Sequence, residues 1–327
     1  MAPRILIVDP IDPSGVAHLR AHAEVTLLDE ASPEEIRRAA QGADAFITRS
    51  KVPDDLFEAA PSLRAALIHG TGTDLVPLAA ATAHGVPVGH LPGGNAQSVA
   101  EYCVMAILML ARNITAITSA VRNGPWDAAR RLGAQAHEIS GMTAGLVGVG
   151  GIGGRLARML RNGFGMRVLG NQRRLDRLPP EAEPADLDRL VAESDFVVVS
   201  CPLTPQTHRL FDAERLGRMK PTAWLINVGR GPVIEEAALV AALRGRRIGG
   251  AMLDVYEQYR LEPGHPYFSL DNVVLTPHLA GMTKESRARM SRQAAEDTLR
   301  MLAGKRPTHP ANPEVWDRPT ARSREKP

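Results

Sequence analysis

Gly148, Gly150 and Gly153 stand in the spacing Gly-x-Gly-x-x-Gly. In that spacing the first glycine permits a tight turn and the second lets the backbone approach a pyrophosphate. The third lets a helix pack on a strand, and the helix's N-terminal amides receive the phosphate charge. Flexible turns share the spacing, so context decides. Apolar Leu146, Val147 and Val149 lead into it and an amphipathic segment, 155–161, follows, which is the strand-to-helix setting a dinucleotide requires. Arg230 is held between Gly229 and Gly231 behind the apolar run Trp224, Leu225, Ile226 and Val228. A planar cation constrained at the end of a strand suits a bidentate grip on a carboxylate. His278 follows Val273–Leu275 and Pro277. An imidazole there can give or take a proton near neutral pH, as interconversion of a carbonyl and a hydroxyl needs. A single histidine is more often structural, but its company here, a cofactor loop and a carboxylate-binding arginine, favours catalysis.

The strand after the fingerprint should end, about twenty residues on, at an acid if the ribose 2′-hydroxyl of NAD is to be bound. That place holds Gln172, Arg173 and Arg174. A carboxylate would repel a 2′-phosphate, whereas an amide flanked by guanidinium groups attracts it, so NADP is the expected cofactor, with NAD second. The plain alternative is that these arginines are solvated surface charges.

Short apolar runs alternate with helical patterns along the chain, which predicts βα units and parallel sheets. Ile5–Val8, Val25–Leu28, Ala45–Thr48, Ala65–His69 and Val86–Val88 read as the strands of a small doubly wound, flavodoxin-like domain. Ser32-Pro33-Glu34-Glu35 supplies an N-cap, a proline at the first helical position and a capping-box glutamate, opening a helix to about Ala40. After Pro92-Gly93-Gly94-Asn95 a long apolar helix is expected from Ser98 to Ala120, and a polar stretch from Arg122 to Gly141 shows no period. Thr143–Val149, Arg167–Gly170, Phe196–Ser200, Ala223–Val228, Gly250–Asp254 and Val273–Leu275 then predict a six-stranded Rossmann-type sheet. A last amphipathic helix, Lys284 to Ala303, leads into a Pro- and Arg-rich tail from Arg306 that is expected to be disordered at its end.

The 327 residues suffice for two domains, and 44% hydrophobic residues for a real core. A net charge of only +3, with no basic block, argues against nucleic acid as a partner. The two cysteines, Cys103 and Cys201, sit in apolar contexts with no metal-ligand spacing around them, so neither a disulfide nor a metal site is expected. A reducing, cytoplasmic compartment fits. The N-terminal apolar run is too short for a signal peptide, and Glu101, Arg112 and Asn113 interrupt the longest apolar stretch, so no membrane span is expected.

In several specific stretches the chain resembles the D-isomer specific 2-hydroxyacid dehydrogenase family over nearly its whole length. They are Gly70-Thr-Gly-Thr-Asp74, Pro92-Gly-Gly-Asn-Ala-Gln-Ser-Val-Ala-Glu101, the fingerprint, Cys201-Pro-Leu-Thr-Pro-Gln-Thr207, Ile226-Asn-Val-Gly-Arg-Gly231, Leu253-Asp-Val255 and Thr276-Pro-His-Leu-Ala-Gly281. The runs Asn171-Gln-Arg-Arg174 and Ala280-Gly-Met-Thr-Lys-Glu-Ser286 are most similar to its glyoxylate/hydroxypyruvate reductase-like members. The resemblance implies an NAD(P)-dependent enzyme that reduces a small 2-ketoacid to a D-2-hydroxy acid. Arg230 would hold the substrate's carboxylate and carbonyl, and His278 would protonate the carbonyl oxygen. Backbone amides around Gly70, Thr71 and Gly72 and the Ser50-Lys51 turn would take the carboxylate's other side. Asn95, Asp254 and Gly281 would lie close to the nicotinamide half, Pro202 and Thr207 would line the cofactor groove, and Gly151, Ile152, Cys201, Val228, Gly229, His278 and Ala280 would also be cofactor-binding. It also implies a discontinuous substrate domain, 1–94 plus 286–327, a dinucleotide-binding domain, 95–285, and a homodimer formed through the latter.

One departure from the family pattern stands out. The family's glutamate five positions beyond the Asp-Val aspartate, which hydrogen-bonds the catalytic histidine, is here Tyr259. Glu257 and Glu262 are nearby, but in an extended segment they would be displaced by roughly 7 and 10 Å. A phenol can orient an imidazole but supplies no negative charge to favour the imidazolium, so His278 is expected to titrate lower and the optimum for reduction to shift toward acid. The same departure admits two other readings: a non-catalytic NAD(P)-binding regulatory or interaction protein, and a dehydrogenase for a bulkier 2-ketoacid with Tyr259 lining the pocket.

Overall fold

A computed structural model of the protein describes residues 2–29 and 31–317. The chain divides into two compact units, Met1–Asn95 with Met282–Pro327, and Ala96–Gly281. The second junction precedes the expected 285/286 because Thr283 already caps the last helix, which packs along its length on the first unit.

In the first unit β1 (Arg4–Ile7), β2 (Glu24–Leu27), β3 (Ala45–Thr48), β4 (Ala65–Ile68) and β5 (Val88–His90) form a parallel sheet in the order β2-β1-β3-β4-β5. That is the flavodoxin order. Helices α1 (Pro13–Arg20), α2 (Pro33–Ala40), α3 (Leu56–Ala59) and α4 (Leu78–Ala83) connect the strands, and the Ser32 capping box is formed. β5 starts two residues later than Val86 because Pro87 has no N–H for the ladder. The tail from Arg306 does not hang free over its described part. Pro310 bridges to Gly89, and Asn312 Oδ1 accepts from Val88 N at 2.8 Å while its Nδ2 donates to Val86 O at 3.0 Å. The end of the tail, 318–327, lies outside the described residues.

The second unit opens with α5 (Ala96–Ala111) and α6 (Ile114–Asn123), not one helix from Ser98 to Ala120. The pair bends by 57° at Arg112-Asn113, where Asn113 turns left-handed at φ +50°. Among the described residues no single helix is long and apolar enough to cross a membrane. Within the stretch read as aperiodic lies α7 (Trp126–Gly133), followed by β6 (Thr143–Val147), α8 (Gly151–Arg158), β7 (Arg167–Asn171), β8 (Glu183–Pro184), α9 (Leu187–Glu193) and β9 (Phe196–Val199). Then come α10 (Ala213–Gly217), β10 (Trp224–Asn227), α11 (Glu236–Arg244), β11 (Gly250–Leu253) and β12 (Val273–Leu275). The sheet is parallel in the order β12-β11-β10-β9-β6-β7-β8, a Rossmann order with seven strands where six were expected; the extra one is the two-residue edge strand β8. The chain closes with α12 (Lys284–Leu302) and α13 (Glu314–Asp317), which belong to the first unit.

Where α12 crosses α1, His69 at the carboxyl end of β4 is 6% exposed and its Nε2 lies 2.8 Å from Ser291 Oγ, which also accepts from Asp12 N at 2.9 Å. Burial, helped by the Arg49 charge, depresses the imidazole to about 4. In the unfolded chain a histidine titrates near its ordinary value of about 6.5, so between the two values the unfolded state binds more protons. The stability His69 contributes is therefore complete above the ordinary value and is lost as pH falls toward the depressed one. Denaturant unfolding at pH 7.5 and pH 5 should show the loss as about 2 kcal/mol from this residue. A His69→Gln variant should lack that part of the slope; an unchanged slope would mean that His69 is not buried in its neutral form.

Candidate active site

The carboxyl ends of the parallel strands β6, β7, β9, β10, β11 and β12 share one edge of the second unit's sheet, and the loops leaving them carry the candidate residues. Gly148, just after β6, has φ +93°, and a Cβ on it would lie 2.7 Å from the backbone of Cys201. A Cβ on Gly153 would lie 2.5 Å from Gly148 O, whereas one on Gly150 would meet nothing within 4 Å. Two of the glycines are thus required by crowding, and the third leaves open backbone for a ligand. Gly150 caps α8 without any side-chain hydrogen bond, so the amides of Gly151, Ile152 and Gly153 have no cap competing with a phosphate. These features fit a dinucleotide. Burial pushes the Cys201 thiol up to about 11, which keeps it neutral and inert against Gly148.

After β7, Gln172 folds its amide onto Arg174 O at 2.8 Å, Arg174 pairs with Asp176 at 3.1 Å, and Arg173 is exposed. An exposed pair of this kind is held weakly and yields readily to a phosphate. Beyond β9 and Cys201, the Thr207 hydroxyl donates to Pro202 O and accepts from Thr204 N, both at 2.7 Å. With the backbone bonds from Thr207 N and His208 N to Thr204 O, it shapes the Pro202–Thr207 loop.

The Arg230 turn is built by a residue to which the sequence analysis gave no role. Asn227, the buried last residue of β10, accepts from Gly229 N at 3.0 Å and donates to Arg230 O at 3.1 Å. An asparagine ending a strand two residues before a glycine was the available signal. Val228 continues the ladder, its N–H donating to Val199 O at 3.0 Å. A Cβ on Gly229 would meet Cys201 O at 2.8 Å, and one on Gly231 would lie 1.7 Å from Tyr256 O, so neither position admits a side chain without backbone movement. The Arg230 guanidinium is half-buried and its Nη1 donates to Gly229 O at 3.0 Å, which fixes the fork relative to its own turn.

His278 is exposed and left-handed, at φ +54°, and its N–H donates to Asp254 O at 2.9 Å. Asp254, expected near the nicotinamide, commits its buried carboxylate to this turn. Oδ1 accepts from Thr276 Oγ1 at 2.7 Å and Leu279 N at 2.8 Å, and Oδ2 from Ala280 N at 2.9 Å. Gly281 follows directly. Tyr256 donates to Thr276 O at 2.8 Å, and Tyr102 lies 2.6 Å from Thr276 Oγ1. Burial pushes the Tyr256 phenol up to about 12 and that of Tyr102 well above the usual phenol range, so both remain neutral. The chain bends over 257–260 instead of running extended, and brings the Tyr259 ring edge-on to His278 with centroids 5.9 Å apart. Tyr259 itself is 65% exposed.

The remaining sequence-derived candidates lie in the first unit. Asp9, after β1, accepts from Arg49 N at 2.6 Å and Ser50 N at 2.9 Å, and from the Ser50 hydroxyl at 2.5 Å. The Ser50 amide and hydroxyl are therefore engaged within the turn, and Asp9 is the residue that shapes it. Lys51 reaches Asp54 at 3.4 Å, both exposed. The Gly70–Gly72 loop is drawn onto β5: Leu91 N donates to Gly70 O at 2.8 Å, and His90 Nδ1, facing the carbonyl of Thr71 at 2.9 Å, carries the proton there. The Thr71 hydroxyl points to Asn95 Oδ1 at 3.4 Å. Among the described residues no group of three or more His, Cys, Asp or Glu could hold a metal ion.

Residues 104–280 match the family profile described as D-isomer specific 2-hydroxyacid dehydrogenase, NAD binding domain. Over 324 residues the chain is 37% identical to a glyoxylate reductase of Thermofilum pendens, covering 96% of this chain and 95% of that one. It is 35% identical over 324 residues to glyoxylate/hydroxypyruvate reductase B of Shigella boydii, covering 97% of this chain and all of the relative. Among solved structures, the NADPH-dependent glyoxylate/hydroxypyruvate reductase of Sinorhizobium meliloti, in complex with NADP and malonate, superposes with a TM-score of 0.83 at 28% identity, covering 95% of this chain and 97% of that one.

Proposed function

The chain belongs to the D-isomer specific 2-hydroxyacid dehydrogenase family, and from that premise we propose that it reduces small 2-ketoacids of the glyoxylate and hydroxypyruvate type to D-2-hydroxy acids with NADPH in preference to NADH. The observation that carries the reading is the convergence, on one edge of one sheet, of the open fingerprint loop, the braced Arg230 turn and the left-handed His278 turn. When bound, the reduced nicotinamide supplies the hydride. Arg230 grips the carboxylate through its fork and draws the carbonyl into line. His278 delivers a proton to the carbonyl oxygen as negative charge develops there. A purely regulatory binding protein has no use for an acid aligned with a carboxylate clamp, and this favours the enzyme.

The preference for NADPH is supported by the absence of an acid after β7 and by Arg173 and Arg174 beside Gln172. A homodimer through the second unit is supported by α6, which has no buried residue, and by exposed Met105, Leu108, Ile114, Val121 and Trp126 in or near α5 to α7. The buried free thiols Cys103 and Cys201 suit the reducing cytoplasm. The test is NADPH and NADH oxidation with glyoxylate, hydroxypyruvate, pyruvate and a bulky aryl-pyruvate, with sedimentation of the same preparation. Turnover of the two small ketoacids, faster with NADPH, is expected from a dimer. Tight cofactor binding with no turnover of any of the four would instead favour a cofactor-sensing protein.

Tyr259 beside His278 sets the pH response. Reduction needs the imidazolium, and a carboxylate within about 4–6 Å favours it where a phenol does not, so Tyr259→Glu should move the alkaline fall-off of reduction upward by about one pH unit or more. An unchanged profile would show that position 259 does not govern the proton on His278.

A further inference from the structure

Tyr102 lies on α5, 174 residues from Thr276 in the sequence, yet its hydroxyl sits 2.6 Å from Thr276 Oγ1. Thr276 Oγ1 is in turn 2.7 Å from Asp254 Oδ1. Both oxygens of Asp254 also face backbone N–H donors, those of Leu279 and Ala280, so the carboxylate only accepts. The threonine has one proton to give. It therefore donates to Asp254 and must accept from Tyr102, which makes a one-way chain of hydrogen bonds that ends on the residue holding the His278 turn on both sides. The Thr276 carbonyl is gripped separately, by the Tyr256 hydroxyl at 2.8 Å.

We propose that Tyr102 is a positioning residue for the reduction: by orienting the Thr276 hydroxyl toward Asp254 it holds the left-handed His278 in the one conformation that aims its ring. A phenylalanine would fill the same buried space but leave the Thr276 hydroxyl held by Asp254 alone. The inference rests on His278 as the proton donor, and it uses a readout that does not depend on turnover.

The experiment compares Tyr102→Phe, Thr276→Val, Thr276→Ser and the Tyr102→Phe/Thr276→Val double variant in the full-length protein, by kcat, cofactor affinity and amide hydrogen exchange of segment 276–281. Tyr102→Phe is expected to lower kcat about tenfold and to speed exchange in that segment by a similar factor, with cofactor affinity within about twofold. Thr276→Val should give at least the same loss, Thr276→Ser should recover most of it, and the double variant should be no worse than Thr276→Val alone. Additive losses, or Tyr102→Phe with native kcat and exchange, would overturn the proposal, as would a lowered melting temperature without either change. Should Tyr102→Phe fail to fold, equal kcat and exchange in the Val and Ser variants at 276 would overturn it by themselves. A native protein inactive on all ketoacids would defeat the functional reading, while the exchange data would still judge the hydrogen-bond chain.

Discussion

His278→Asn is expected to lower kcat for ketoacid reduction by about a thousandfold while leaving cofactor affinity within about twofold. Asparagine is the informative replacement because the backbone at 278 is left-handed, φ +54°, a conformation that asparagine tolerates better than other non-glycine residues. The turn is held by groups outside the imidazole: Asp254 takes the N–H of Leu279 and Ala280, and Tyr256 takes Thr276 O. The variant therefore keeps those hydrogen bonds of the turn while removing the side chain able to release a proton at neutral pH. General-acid catalysis by a positioned side chain is worth about a hundred- to ten-thousandfold, and no second histidine stands at this turn. Stopped-flow measurement of a single turnover separates the chemical step from product release. A loss below about tenfold in that step would mean that the proton comes from elsewhere, with water as the first candidate.

Arg230→Lys should lower kcat/KM for 2-ketoacids by about a hundredfold, with the greater part in KM. The substitution keeps the charge and removes the fork. Two parallel charged hydrogen bonds to a carboxylate become one, and the new ammonium cannot reproduce the planar group that Gly229 O holds at 3.0 Å. The neighbouring glycines cannot be altered to compensate, since a Cβ at 229 or 231 runs into the backbone of Cys201 or Tyr256. An aldehyde with no carboxylate, offered at high concentration, is the control: its slow reduction should be nearly indifferent to the change. Equal losses on ketoacid and aldehyde would show that Arg230 acts on the carbonyl or the fold, not on the carboxylate.

The features legible in the sequence are those whose physics is local. β3 and β12 fall where their apolar runs predict, and the Ser32 capping box forms because its partners are three residues apart. The placement of the fingerprint, Arg230 and His278 at strand ends was legible for a related reason: each sits a fixed short distance after an apolar strand, and strand ends in a parallel sheet share an edge. β8 was not legible, being two exposed residues that pair only with the edge of a sheet already built. α7 escaped because it is only eight residues long and buries Ala129 alone, too short a segment to stand out in a polar stretch. The break at Asn113 needed a left-handed residue that a count of apolar positions does not reveal. Asp9 and Tyr102 act, each within its own unit, on residues 41 and 174 positions away, so no spacing rule could have found them. Asn227 acts two and three residues ahead, and was there to be found.

The step on which the whole reading stands is transfer of hydride from the nicotinamide to the carbonyl carbon of a small 2-ketoacid to give the D-hydroxy acid. It is tested most directly by turning over hydroxypyruvate with NADPH deuterated at C4 of the nicotinamide, on the transferred face, and examining the product by NMR and chiral chromatography. D-glycerate with deuterium at C2 is the expected result. Product of the L configuration, glycerate without deuterium at C2, or unreacted hydroxypyruvate beside intact cofactor would contradict it.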